Sequence, residues 1–95
     1  MIVIRNTFQL QFGKAKEAKA IIQQIRSIEK AHSPTRVMTD LTGPFFTLVL
    51  EFEEESLSTW EKRQQETLGQ AALRPLFESL YALTLSGHRE IFNLA

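Results

Sequence analysis

The order of hydrophobic periodicities along the chain predicts an α+β fold of the split-βαβ type, with the element order βαββαβ. A strand-like alternation comes first, a helical pattern follows, and two more strand patterns precede a second helical region and a last strand. Ninety-five residues are enough for one domain, which we place over residues 1–95. We therefore expect a four-stranded antiparallel sheet with its helices on one face.

The first strand and the first helix have the clearest patterns. From Ile2 to Phe12 the even positions are mostly apolar and the odd ones mostly polar, which predicts a strand buried on one face. Gly13 ends this strand, and the helix that follows is expected to reach about Lys30. Its apolar residues form one stripe: Ala15, Ala18, Ile21, Ile22, Ile25 and Ile28. Ser33–Pro34 stops the helix, and His32 is interpreted as a capping or surface residue.

Two further strands are predicted in the middle of the chain. The first covers Thr35 to Thr42, and Gly43–Pro44 marks the turn after it. The second, Phe45 to Glu53, is apolar on both faces, as in a strand covered from both sides. One face is formed by Phe46, Leu48, Leu50 and Phe52, and the other by Phe45 and Val49.

The last third of the chain predicts two helical segments and a closing strand. The second helix is expected to start at Ser56 or Ser58, with Ser58 and Glu61 as a capping box. Gly69–Gln70 indicates a break, after which a further helical segment has Pro75 near its first turn. The closing strand runs from about Leu83 or His88 to Leu94, with a bulge expected at Gly87.

Composition disfavours several classes of protein. The 11 basic and 11 acidic residues balance and are scattered, whereas a nucleic-acid-binding protein concentrates its basic residues. The absence of cysteine excludes disulfides and thiolate chemistry. No apolar run approaches the ~18–20 residues of a membrane span, and the first residues do not resemble a signal peptide. We therefore expect neither a nucleic-acid nor a membrane partner, and a cytoplasmic location.

The predicted sheet has more apolar surface than two helices on one face can cover. Phe45 and Val49 would lie on the uncovered side, and monomers seldom leave large apolar patches open to water. A second copy of the chain would bury this face, so we expect a twofold homodimer.

The sequence resembles the dimeric α+β-barrel superfamily of ferredoxin-like domains, which includes the antibiotic-biosynthesis-monooxygenase and NIPSNAP-like families. The resemblance spans nearly the whole chain. It lies in NTFQLQFGKAKEA, in GPFFTLVLEFEEESLSTWEK and in GHREIFNL. It implies a ferredoxin-like fold and a barrel formed by two subunits; because such a fold supports many activities, activity does not follow from it.

Asn6 and Trp60 are the residues most suggestive of a ligand site. Asn6 is the one polar residue on the apolar side of the first strand, so its amide needs a partner from the protein, water or a ligand. Trp60 has an indole N–H that also needs a partner when buried, although a core anchor is the interpretation that we favour for it. Phe8, Leu68 and Phe77 are candidates for the walls of the same site.

The resemblance also implies a test for haem. In the haem-degrading monooxygenases of this superfamily, an Asn and a Trp at the places of Asn6 and Trp60 line the haem pocket. A histidine three turns further along ligates the iron, whereas Gln70 stands in that neighbourhood here, and glutamine is a poor iron ligand. We therefore expect no cofactor.

The remaining ionisable residues have ordinary interpretations. The acidic run Glu51, Glu53, Glu54 and Glu55 has no histidine nearby, so no metal site is predicted; an ion pair with an arginine such as Arg5 or Arg89 is favoured. His88 is interpreted as a sheet-edge or dimer contact rather than an acid–base group.

Three functions follow as hypotheses. The first is binding of a small apolar or aromatic molecule between sheet and helices. The second is a cofactor-independent monooxygenase, which would need a pocket of ~300 Å³ or more lined by Asn6 and Trp60. The third is a non-catalytic structural or sensory dimer module, in which Phe8, Leu68 and Phe77 would fill that space. Whether the protein is an enzyme is left open by the sequence.

Overall fold

A computed structural model describes all residues, Met1–Ala95, and has the predicted element order with the second helical region divided in two. The strands are β1 (Ile2–Leu10), β2 (Arg36–Thr39), β3 (Thr47–Glu54) and β4 (Thr84–Asn93). The helices are α1 (Ala15–Ile28), α2 (Leu57–Leu68) and α3 (Arg74–Ala82). All neighbouring strands are antiparallel, in the order β2-β3-β1-β4, which is the ferredoxin-like arrangement.

The core lies between the sheet and α1 and α3. Even-numbered positions of β1 and β3 point to this side, which we call the inner face, and Ile4 and Leu48 on it are fully buried. Ala18, Ile22 and Ile25 of the predicted α1 stripe pack against it together with Leu73 and Leu80. The apolar faces that the strand and helix periodicities predict therefore pack together in a single core. None of the three helices has the length and apolarity needed to cross a bilayer.

The connections around Phe12 and Phe45 differ from the prediction. The first strand ends at Leu10 rather than Phe12, since the chain turns at Gly13, whose φ is +82°. The third strand begins at Thr47, because Phe46 has a φ of +59° and lies outside the ladder. Phe45 is thus in the turn, 70% exposed and 5.7 Å from the Phe12 ring, and does not lie on the uncovered face of the sheet as predicted.

Of the two starts predicted for α2, Ser56 is confirmed, while the predicted capping box is wrong. Its N-cap is Ser56, whose hydroxyl accepts a hydrogen bond from the Thr59 amide at 3.2 Å, so the expected box of Ser58 and Glu61 does not form. The predicted break after α2 is confirmed, with Gly69 as C-cap and Pro75 in the first turn of α3.

In β4, the irregularity lies at Leu85, two residues before the glycine at which a bulge was expected. Leu10 pairs with Thr84 and Gln9 with Ser86, which leaves Leu85 as the extra residue. Gly87 pairs regularly with Phe8, and a Cβ there would lie 2.9 Å from the Thr7 carbonyl oxygen. Gly87 therefore allows β1 and β4 to approach each other closely, and it does not form a bulge.

The side of the sheet away from the helices, which we call the outer face, is crossed by a row of alternating charge. Arg36 of β2, Glu51 of β3, Arg5 of β1 and Glu90 of β4 are directly opposite one another in the register. Arg5 Nε donates to Glu51 Oε2 at 2.8 Å, and Arg36 Nε lies 3.3 Å from Glu51 Oε1. Since the chain is only 19 Å thick, nothing but one helical layer covers the sheet, and the outer face is bare.

Candidate functional site

A cavity of about 230 Å³ lies between the inner face and the helices. Its walls come from β1, β3, β4, all three helices and the connection between α1 and β2. The volume is below the ~300–1,000 Å³ common for ligand pockets, so the cavity suits a small molecule. It is also smaller than the space that we expected for a monooxygenase.

The structure brings four of the five predicted site residues together. Asn6, Phe8, Leu68 and Phe77 all line the cavity, and the three apolar ones border the space without filling it. Trp60 is absent from the wall; it is 4% exposed and packs on Phe52 with ring centroids 5.1 Å apart. Trp60 thus has the contacts of a core anchor, and ligand contact by the other four stays a prediction.

Asn6 and Trp60 are nevertheless linked, through a residue that the sequence analysis did not place in the site. Arg89 of β4 is directly opposite Asn6, and its Nε donates to Asn6 Oδ1 at 2.7 Å. The Arg89 guanidinium also lies over the Trp60 ring, 5.4 Å from its centroid. The half-buried Asn6 amide oxygen therefore has a hydrogen-bond partner, and that partner is an exposed cation in the cavity wall.

The positive charge of Arg89 is not balanced by a carboxylate. Its only hydrogen bond within the chain is the one from Nε to Asn6, and no acidic group lies within ion-pair distance. Glu90, the next residue, is on the outer face and 3.7 Å from His88 Nε2. The predicted ion pair between the acidic run and an arginine is confirmed for Arg5 and Glu51, but Arg89 has no such pair.

A second polar group of residues borders the cavity from the α1–β2 side. His32 lies in the wall, its Nδ1 is buried without a hydrogen-bond partner, and its Nε2 is 3.7 Å from Glu66 Oε2. Glu29, also in the wall, accepts a hydrogen bond from the Gln70 side chain. His32 is therefore half-buried at the site rather than a plain surface or capping residue.

The residues present do not fit a haem group. Gln70, at the place of the iron ligand of the haem-degrading proteins, uses its amide on Glu29 and is not in the cavity wall. The space of about 230 Å³ is also too small for a macrocycle. No three histidine or acidic side chains lie close enough together to hold a metal ion.

Arg89 and His32 were missed because their positions depend on pairing between distant segments. Arg89 lies 83 residues from Asn6, and only the β1–β4 register places the two side chains on the same face. The alternation along β4 could have indicated the position of Arg89. Every second residue of a strand lies on the same face, and Gly87, Arg89 and Ile91 share the face of Phe8, Asn6 and Ile4. His32 had no comparable signal.

Comparison with solved structures shows the same fold in proteins of very different sequence. An uncharacterised NIPSNAP domain protein from Burkholderia xenovorans superimposes with a TM-score of 0.88 at 14% identity, over 100% of this chain and 95% of the other. A NIPSNAP family protein from Agrobacterium tumefaciens gives 0.88 at 15% identity, over 99% and 85%. A structure of an antibiotic biosynthesis monooxygenase gives 0.71 at 8% identity, over 100% and 99%.

These similarities confirm the predicted ferredoxin-like fold and the resemblance to both groups of proteins. At such low identities they establish the fold alone. The sequence matches no family model, and no curated protein is similar to it.

Proposed function

We propose that the protein binds a small apolar or aromatic molecule in the cavity between sheet and helices. The observation that supports this is the open space of about 230 Å³ whose walls include Phe8, Leu68 and Phe77. Small-molecule sites in proteins are usually concave and mainly apolar, with a few polar groups in the wall. A ligand with an apolar body would shield these side chains from water.

The test is a titration with 2-naphthylmethanol, a neutral aromatic probe, followed by the probe's fluorescence and by the indole N–H signal of Trp60. Trp60 is the single tryptophan of the chain and packs on Phe52, which lines the cavity. We expect saturable binding by the unmodified protein, with a shift of the Trp60 signal. Absence of saturation at millimolar probe contradicts the proposal.

A matched pair of variants locates the binding. Ile25→Phe places an aromatic ring in the cavity wall, whereas Ile21→Phe adds the same ring to α1 at a half-buried position outside the wall. We expect Ile25→Phe to weaken probe binding at least about tenfold and Ile21→Phe to leave it nearly unchanged. Equal effects would mean that the probe binds elsewhere.

We also propose that two copies of the chain pair through their outer faces. In the row Arg36, Glu51, Arg5, Glu90 the charges alternate, so a twofold axis along the strands sets each arginine opposite a glutamate of the other copy. The apolar pairs Val3–Phe92 and Met38–Val49 lie on either side of this row and would be buried in the same contact. Charge complementarity and apolar burial thus both favour a second copy.

Light scattering at micromolar concentration tests this pairing. The expected mass is twice the 10.9 kDa of the chain. Met38→Lys puts a charge on the outer face and should shift the mass toward the monomer, while Gln23→Lys, on the exposed side of α1, should not. A monomeric unmodified protein rejects the proposal.

The monooxygenase and the structural module stay predictions of the sequence. The space available is smaller than we required for the first and Trp60 does not line it, while the unfilled cavity argues against the second. Ligand binding is therefore the function that the geometry supports best.

A further inference from the structure

Arg89 brings an unbalanced positive charge to a cavity that is otherwise walled largely by apolar side chains. Building on the ligand-binding function proposed above, we infer that the ligand is a small aromatic carboxylic acid whose carboxylate pairs with Arg89. An apolar body fits the walls, and an acid supplies the missing countercharge.

The Arg89 guanidinium is held ready for such a partner. Its Nε donates to Asn6 Oδ1 at 2.7 Å, and its Cζ lies over the Trp60 ring, 5.4 Å from the centroid. The two Nη groups have no acceptor within the chain. Two parallel N–H groups match the two oxygens of a carboxylate, and a guanidinium fixed in advance loses little conformational freedom on binding.

Asn6 and Trp60 therefore act as positioning residues for Arg89. An amide oxygen orients the guanidinium without cancelling its charge, unlike a carboxylate at the same place. This role accounts for a polar residue on the inner face of β1, between the apolar Ile4 and Phe8.

The other charged groups at the cavity determine the orientation of the ligand. Glu29 would repel an acid placed near it, and its carboxylate is already hydrogen-bonded to Gln70. His32 lies in the wall on the same side as Glu29, and its Nε2 is 3.7 Å from Glu66 Oε2. Because β4 and β2 are opposite edges of the sheet, the acid is placed at the β4 edge and its body extends toward α1.

The experiment compares 2-naphthoate with 2-naphthylmethanol, which share the aromatic body and differ in the charged group. At neutral pH and low salt, we expect the unmodified protein to bind 2-naphthoate about tenfold more tightly, as a charge-assisted pair near solvent allows. Adding 0.5 M NaCl should reduce this preference without weakening the alcohol.

Arg89→Gln should abolish the preference for the acid while leaving 2-naphthylmethanol within about twofold, and Arg89→Lys should keep part of it. Arg74→Gln, which removes an exposed arginine outside the cavity, serves as the control and should behave as the unmodified protein. If Arg89→Gln does not fold, as judged by circular dichroism, the salt dependence of the unmodified protein and the lysine variant decide.

The outcomes separate the two proposals. If the alcohol binds but the acid binds no better, or if Arg89→Gln keeps the preference, the assignment to an acid is wrong and the ligand-binding function stands. If neither probe binds, both proposals fail.

Discussion

Arg5 and Arg89 lie on adjacent strands, and two of their contacts are alike. Each donates through Nε to a side-chain oxygen, Arg5 to Glu51 at 2.8 Å and Arg89 to Asn6 at 2.7 Å. Each lies 5.4 Å from an aromatic centroid, that of Phe92 or of Trp60. The difference is that Glu51 cancels the charge of its arginine on the outer face, while Asn6 on the inner face does not.

This contrast separates a structural ion pair from the site that we propose for an acid. On the outer face, Glu51 is nearly buried and needs its arginines, so the pair stabilises the fold and fixes the alternating charge row. On the inner face, the arginine lies in the wall of the cavity and has no carboxylate partner. Substitutions that exchange or remove these partners test whether the two faces differ in this way.

The largest loss of stability should come from a substitution of an apolar residue on the inner face. Leu48 is fully buried and Val49, the next residue, lies half-buried on the outer face. Leu48→Ala should lower the free energy of unfolding by about 3 kcal/mol and Val49→Ala by about 1 kcal/mol, because only the first opens a cavity in the core. Urea unfolding at one protein concentration, chosen low enough that two copies do not pair, measures both. Comparable losses would show that Val49 is packed within the chain as tightly as Leu48.

The next largest change in the free energy of unfolding is expected at one of the two arginines. Arg5→Gln should destabilise the protein by about 2 kcal/mol, since the Glu51 carboxylate, with 6% of its side chain exposed, loses its shorter ion pair. Arg89→Gln should change stability by less than about 0.5 kcal/mol, because no buried charge is left unpaired. The same urea unfolding experiment applies, and a larger loss in Arg89→Gln would make Arg89 a structural residue.

A third substitution makes the inner arginine resemble the outer one. Asn6→Asp gives Arg89 a carboxylate partner, so the cavity should lose about tenfold in affinity for 2-naphthoate and keep its affinity for 2-naphthylmethanol. Gln23→Glu adds the same charge on the exposed side of α1 and is the control. Unchanged naphthoate binding in Asn6→Asp would contradict the role of Asn6 as a neutral positioning residue.

The smallest loss of stability should appear for Arg36, at one end of the row of charged residues. The Arg36 side chain is 71% exposed and lies 3.3 Å from the carboxylate that Arg5 approaches at 2.8 Å. Arg36→Gln should therefore cost no more than about 0.5 kcal/mol, as is usual for exposed pairs. The measurement is urea unfolding of the protein diluted until its copies no longer pair. A loss equal to that of Arg5→Gln would mean that Arg36 contributes as much as Arg5 to the pairing of the Glu51 carboxylate.

Much of the fold could be predicted from the sequence because its signals are local. Alternation in Ile2–Leu10 and the apolar stripe of Ala18, Ile22 and Ile25 need only neighbouring residues, and their order leaves few ways to cover a sheet. Asn6 could be singled out for the same reason, as the polar exception within an apolar alternation.

The turn before β3 was harder to predict from the sequence. Phe45 and Phe46 have strand-forming side chains, but the positive φ of Phe46 and its packing against Phe12 remove both from β3. Side-chain propensity is weak beside such packing, which involves a segment more than thirty residues away.

By itself, the sequence determined the α+β class, the order of the elements and the face on which Asn6 lies. Only the tertiary structure decided that Arg89 meets Asn6, because a slip of one residue between β1 and β4 would move Arg89 to the outer face. It likewise decided that Trp60 supports the arginine from behind the cavity wall, and that His32 leaves a ring nitrogen unpartnered there. Periodicity reports which side of a strand is buried, whereas register between distant strands decides which charges share that side.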